Sequence, residues 1–308
     1  MRPRLERTTP HPSASSGRGG GPAASKAPPA VTQPGRGDLL GVVRSLTARD
    51  RFCVSALAEH QVLTTAQLAQ LCFPSLDVAQ RRLLRLTRLG VLDRFRWHAL
   101  VGSEAWHYTL GPAGAALVAA ERGAEPPRPA ELRRRALRLA ASPRLAHLLG
   151  VNGFFCALGA QARHEPGRAL VSWWSERRCA EHYGELVRPD AQGAWAEEGH
   201  QVGFFVEHDT GTEALARLAA KLAGYAELAA AGGPRQTVCF WLPTTAREAH
   251  LHRLLAERPR QVSVATASAE LAVALGTGPA GALWLTAGAE RRRRLIDLSA
   301  PNRPTSPR

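Results

Sequence analysis

Apolar positions along the chain fall into two kinds of folded pattern. Over residues 50–60, Phe52, Val54, Leu57 and Ala58 recur at helical spacing, and Thr64 or Thr65 is placed to cap a second helix over 66–71. Phe73-Pro74-Ser75 reads as a turn. A third helix is predicted over 76–89, closed by Gly90, whose missing Cβ suits a left-handed C-cap. Residues 91–97 and 106–110 read as two strands, and Gly111-Pro112 opens a further helix to residue 122. Three helices followed by a two-stranded hairpin is the order of a winged helix-turn-helix.

The second pattern begins after the proline-rich stretch 123–129. It predicts a long helix over 142–162, a strand at 170–176, a second following 185–189 and a third at 201–208. A helix over 212–231 carries Leu215, Leu218, Leu222 and Tyr225 on one face; a strand at 237–242, a helix at 245–257 and strands at 261–267 and 281–286 follow. This alternation belongs to an α/β domain with a mixed sheet.

Charge changes the picture. Lys plus Arg is 40 against 26 Asp plus Glu, and a net charge of +14 points to a polyanionic partner, nucleic acid before membrane. Residues 1–37 carry +5, 38–124 +3, 125–150 +4, 151–290 −3 and 291–308 +5. Residues 1–37 and 291–308 are therefore expected to be basic disordered tails, 38–124 a DNA-binding winged-helix domain, 125–143 a linker and 144–290 the α/β domain. Two charge-free windows, 145–162 and 271–289, approach membrane-span length, but the first holds His147, Asn152 and Gln161 and the second is broken by glycines and a proline, so no membrane span is expected. Five scattered cysteines with no C-x-x-C, and no signal peptide, fit a reducing cytoplasm.

The third predicted helix carries Arg81, Arg82, Arg85 and Arg88, with Arg81, Arg85 and Arg88 on one face. A guanidinium face on a helix after a tight turn suits major-groove docking; a solvated charged face is the other reading. Arg94, Arg96 and His98, in and beside the hairpin, would track the DNA backbone or minor groove, or be ordinary strand-edge charges.

Asp190 follows a proline, and Glu207 and Asp209 share one face at the end of the 201–208 strand. Three converging carboxylates make an oxygen site for Mg²⁺ or Mn²⁺, and Lys221, with Lys26 one of only two lysines in the chain, would stabilise a phosphorane or help deprotonate water. On this reading Asp190, Glu207 and Asp209 are metal ligands and, with Lys221, the catalytic set. The alternative is that Thr210 and Glu213 form a capping box with Gly211 at positive φ, so that the acidic run is a helix start. No Walker loop, G-x-S-x-G elbow or H-E-x-x-H is present, and three tyrosines without a histidine triad argue against a tyrosine relaxase.

The runs RDRFCVSALAEHQVLTTAQLAQLCFP and RRLLRLTRLGVLDRF, the YTLGPAG turn, and above all VRPD, GFFVEHDTGTE and KLAGY resemble the replication-relaxation family of actinobacterial plasmids and integrative elements. The resemblance covers about residues 45–270. It implies a winged-helix DNA-binding protein of plasmid or integrative-element replication or mobilisation, working with DNA and with other replication or transfer proteins. The C-terminal strand order is also similar to the PD-(D/E)-x-K nucleases, with Asp190 and Glu207 matching the first two acidic positions and Asp209 standing where the motif has lysine. That implies an α/β nuclease-like domain, with Mg²⁺ as cofactor if it is catalytic. A non-catalytic transcriptional regulator and a Mg²⁺-dependent DNA endonuclease are the alternatives.

Overall fold

The computed structural model describes residues 36–96, 105–257 and 262–298. His98, residues 1–35 of the first expected tail and residues 299–308 of the second lie outside them. The described residues belong to one compact unit that begins at Gln33.

The N-terminal part contains α1 (Arg36–Ser45), α2 (Ala48–His60), the short β1 (Leu63–Thr64), α3 (Thr65–Cys72), α4 (Leu76–Arg88), β2 (Leu92–Phe95), β3 (His107–Leu110) and α5 (Pro112–Glu121). Thr47 and Thr64 each close a reciprocal capping box, with Asp50 and Gln67, and the Ser75 side chain caps α4. Gly90 takes φ 69° just past α4 and lets the chain turn into β2. The three strands form an antiparallel sheet in the order β1-β3-β2. Val54, Leu57, Leu68, Leu83, Leu86 and Tyr108 pack together beneath it. Phe52, expected on the inner face of α2, is exposed; that face is instead Asp50, Cys53, Val54 and Leu57.

The expected linker is largely a helix, α6 (Pro129–Ala140), begun by a proline in its first turn and buried along none of its faces. Next come α7 (Leu145–His164), β4 (Arg168–Ser175), α8 (Glu176–Tyr183), β5 (Ala191–Glu197), β6 (His200–His208), α9 (Leu215–Ala220), α10 (Leu222–Ala230), β7 (Thr237–Leu242), α11 (Thr245–Ala256), β8 (Val264–Ser268), α12 (Ala269–Ala274), β9 (Trp284–Thr286) and β10 (Arg292–Arg293). The helix predicted as one piece over 212–231 breaks at Lys221.

The second sheet has seven strands in the order β10-β9-β8-β7-β6-β5-β4, with β6, β7 and β8 mutually parallel and the other pairs antiparallel. Along β6 the two-residue period sends Phe204 and Val206 to the α7 side and Phe205 and Glu207 to the side covered by α9, α10 and α11. Residues 291–298, expected to open a disordered basic tail, are instead packed on the domain. Leu295, Ile296 and Leu298 drive their segment into the α7-side core, Arg292 pairs with the buried Glu248, and Arg294 with the buried Glu197. An apolar Leu-Ile-x-Leu run next to the arginines is what makes burial worthwhile there.

Among the described residues one helix, α7, is long and apolar enough to cross a membrane by length and composition. Its apolarity has another use here, because it is the shared wall of two cores: Phe154, Phe155 and Leu158 pack on the seven-stranded sheet and Cys156 on the N-terminal core. Polar contacts fasten the same seam. Asn152 Nδ2 donates to Val62 O at 2.7 Å and His60 O at 3.3 Å, Gln67 Nε2 donates to Leu149 O at 2.8 Å, and Glu59 accepts from the Ser175 hydroxyl at 2.7 Å. Asn152→Ala removes this donor from the buried Val62 carbonyl and leaves the His60 carbonyl with only the Val62 N–H. It should cost about 2 kcal/mol, seen as a lower urea midpoint at unchanged slope, with both parts unfolding in one transition.

Candidate functional site

On α4, Ala79, Leu83 and Leu86 are buried, and Arg81, Arg85 and Arg88 stand on the exposed face. Among the described residues none of the three pairs with a carboxylate. Arg82, one position on from Arg81, turns towards α2 and meets Asp50, which is fully buried. Burial opposes ionisation of Asp50, but hydrogen bonds from Arg82 and Thr47 outweigh it and hold the carboxyl below its ordinary value. Arg82 therefore fixes α4 on α2 and is not part of the free face. In the hairpin, the guanidinium groups of Arg94 and Arg96 lie 3.8 and 4.3 Å from the ring centroid of Trp106, so the indole positions both cations beside the strands.

The second cluster lies where β5 begins and β6 ends. Antiparallel register pairs Ala191 with Val206, which sets Asp190 beside the last residues of β6. Its Oδ2 accepts the His208 backbone N–H at 2.8 Å, while Oδ1 lies 3.2 Å from His147 Nε2 and 4.0 Å from Lys221 Nζ. Lys221 Nζ also donates to Glu207 Oε2, and Tyr225 OH donates to Glu207 Oε1 at 2.6 Å. The break between α9 and α10 brings Lys221 and Tyr225 to this edge. His208 turns towards α7, where a Cβ on Gly150 would come within 2.4 Å of its ring.

Asp190, Glu207 and Lys221 are thus brought together, and Asp209 is not. Asp209 shares the Glu207 side of the sheet, as alternation requires, but Arg247 of α11 grips both of its oxygens, with Nη2 3.0 Å from Oδ1, and the Gly211 N–H donates to Oδ1 at 3.0 Å. The expected triad of metal ligands does not form. Among the described residues no group of three or more His, Cys, Asp or Glu is arranged to hold a metal ion. The residues do not fit a divalent cation, because the protein's own cations already serve these carboxylates. The capping-box alternative fails as well. Gly211 does take φ 90°, but the helix starts only at Leu215 and has no side-chain cap.

Burial, and next the Asp190 charge, pushes Glu207 up to about 8. Burial works against the Lys221 ammonium, but the charges of Glu207 and Asp190 more than offset it and move it up to about 12. Asp190 is buried too, yet His147 and Lys221 hold it below its ordinary value. Of the two carboxyls, Glu207 therefore takes up a proton first. The hydrogen bond to Asp190 raises His147, whereas burial, with the His147 charge, lowers His208 to about 4 and keeps it neutral.

These directions fix a pH dependence. Asp190 is lowered in the fold, so its contribution is present above its unfolded value near 3.8 and lost on acidification; His147 is raised, so its contribution is complete below 6.5 and lost as pH rises through its higher folded value. The Asp190–His147 pair should stabilise most between those limits. Urea midpoints from pH 4 to 9 should show the decline above about pH 6.5 flattened in His147→Gln.

Sequence reasoning missed His147, His208 and Arg247, and it grouped Arg82 with the wrong set. Only Arg82 carried a local signal, since at 100° per residue it lies off the Arg81–Arg85–Arg88 face.

The architecture defines a class: a helical module with a three-stranded sheet, fastened through one shared helix to a mixed α/β sheet with a buried carboxylate–lysine cluster at its edge. The family model for replication-relaxation proteins matches residues 54–239, more than half of the chain, and the chain belongs to that family. Comparisons with curated proteins and with solved structures gave no match.

Proposed function

We propose that this is a cytoplasmic DNA-binding protein of plasmid or mobile-element replication or mobilisation, with the N-terminal part acting as a winged helix that lays α4 in the major groove. The observation that carries the reading is the exposed face of Arg81, Arg85 and Arg88, which has no carboxylate partner among the described residues, on a helix otherwise well capped and packed. Unneutralised guanidinium groups at one-turn spacing suit a row of phosphates and guanine edges. The hairpin cations on Trp106 suit the flanking backbone. Family membership supports replication or transfer as the setting. Fluorescence anisotropy with duplex DNA tests it: Arg85→Glu should weaken binding by roughly ten-fold or more at moderate salt. Arg82→Ala should lower stability and leave the salt dependence of binding unchanged. Equal affinity of Arg85→Glu and wild type would remove the proposal.

One observation favours a nuclease-like second domain. The order α7, β4, α8, β5, β6, α9–α10, β7, with Asp190 just before one strand and Glu207 near the end of its antiparallel neighbour, resembles the PD-(D/E)-x-K scaffold apart from the inserted α8, and supports this reading. We read it as a scaffold for binding DNA or a partner protein rather than for cleavage, because Arg247 occupies Asp209 and Lys221 sits against both remaining carboxylates. Supercoiled DNA incubated with the protein and Mg²⁺ or Mn²⁺ should stay intact. Nicking that Asp190→Ala abolishes would establish the endonuclease alternative instead.

A further inference from the structure

Five cysteines are present, and two of them, 19 positions apart, meet inside the N-terminal part. Cys53 on α2 and Cys72 at the end of α3 place their Sγ atoms 3.4 Å apart, inside ordinary sulfur contact. Cys53 is wholly buried, whereas Cys72 is partly exposed and reachable from solvent. The end of a helix normally disfavours a thiolate, because its free carbonyls are negative. Here Arg163 of α7 caps those carbonyls, donating to Ala69 O, Gln70 O and Phe73 O at 3.3, 2.8 and 3.1 Å. Arg49 lies over the adjacent Phe73 ring. The sulfur that solvent can reach thus lies against the Cys53 thiol and the Leu68 carbonyl, at 3.4 and 3.3 Å, with Arg163 and Arg49 on the residues around it.

We propose that Cys53 and Cys72 form an oxidation site, in which a hydroperoxide converts the two thiols into a disulfide joining α2 to α3. The Cys72 thiolate attacks the peroxide oxygen, giving a sulfenic acid and releasing water or alcohol once the leaving oxygen is protonated. The Cys53 sulfur then attacks the Cys72 sulfur and expels hydroxide, which leaves as water with the Cys53 proton. Two thiols are oxidised and one peroxide is reduced. A hydrogen bond from Cys53 lowers the cost of the Cys72 thiolate, and the Arg163 and Arg49 charges add to it against burial and the Asp50 charge. Closing the bond to about 2.05 Å asks the two sulfur atoms to approach by a little over 1 Å. Such thiols stay reduced in a cytoplasm until an oxidant arrives, which is the behaviour of a sensor pair rather than a structural disulfide. The turn after Cys72 leads directly into α4, so the bond fixes the helix pair that carries the arginine face.

The test treats the folded full-length chain with a small excess of hydrogen peroxide, quenches it, and alkylates under denaturing conditions. Two of the five thiols should disappear, a Cys53–Cys72 peptide should appear in the mass spectrum, and dithiothreitol should restore both. Cys53→Ser should leave Cys72 as a sulfenic acid that dimedone traps. Cys72→Ser should abolish the crosslink, and Cys156→Ser should keep it. If wild type forms no Cys53–Cys72 peptide, or Cys72→Ser loses as many thiols as wild type, the proposal is overturned. If the peptide forms only after unfolding in urea, it is overturned as well.

Discussion

Lys221→Met will unfold at markedly lower urea than wild type, and the gap will widen with pH. Lys221 serves two buried carboxylates, in contact with Glu207 and 4.0 Å from Asp190. Removing one partner of a buried ionic cluster leaves the others uncompensated, which costs about 3–5 kcal/mol. Lys221 keeps 31% of its side chain exposed, so the lower end, about 3 kcal/mol, is expected. Glu207, with a folded value of about 8 against an ordinary 4.5, takes stability away as pH rises through that interval. Without Lys221 its folded value climbs further and the loss continues above pH 8. The difference between variant and wild type should be smaller near pH 5, where only Asp190 among the two carboxyls is ionised, and full near pH 9. A constant difference across that range would mean that Lys221 acts through packing of its methylenes.

The second large effect concerns DNA. Replacing Arg81, Arg85 and Arg88 together by alanine removes three exposed cations and no buried group, so the fold should be unchanged within about 0.5 kcal/mol. Each phosphate contact contributes roughly a factor of ten in affinity near 0.1 M salt, so the triple variant should lose about two to three orders of magnitude. A similar loss for duplexes of different sequence would assign the three to phosphates. A loss confined to one site would assign at least one of them to a base edge.

How much of this was legible in the sequence depends on the distance over which each decision is made. The boundaries of α4 were legible because Ser75 and Gly90 act within a turn of the helix ends. The alternation of β6 placed Glu207 and Asp209 on one side correctly, since period two is local geometry. What captured Asp209 was not local: Arg247 lies 38 positions later, and only the parallel crossover to β7 brings α11 over that strand end. His147 reaches Asp190 from the shared helix α7 by the same kind of long-range closure. Helix α6 was hidden by its prolines, which break helices internally but start them well. The segment after residue 291 was read by its arginines, although Leu295, Ile296 and Leu298 beside them held the signal that decides burial. The shared wall also had a trace, since α7 is apolar around much of its circumference, as a helix packed on two sides must be.

The salt dependence of DNA affinity, measured side by side for wild type and the Arg81→Ala, Arg85→Ala, Arg88→Ala triple variant, tests the role of the α4 face most directly. Each phosphate contact adds about −0.9 to the slope of log K against log salt, so the wild-type slope should be steeper by nearly 3. Parallel lines of equal affinity would mean that DNA is held elsewhere, or not at all by this helix.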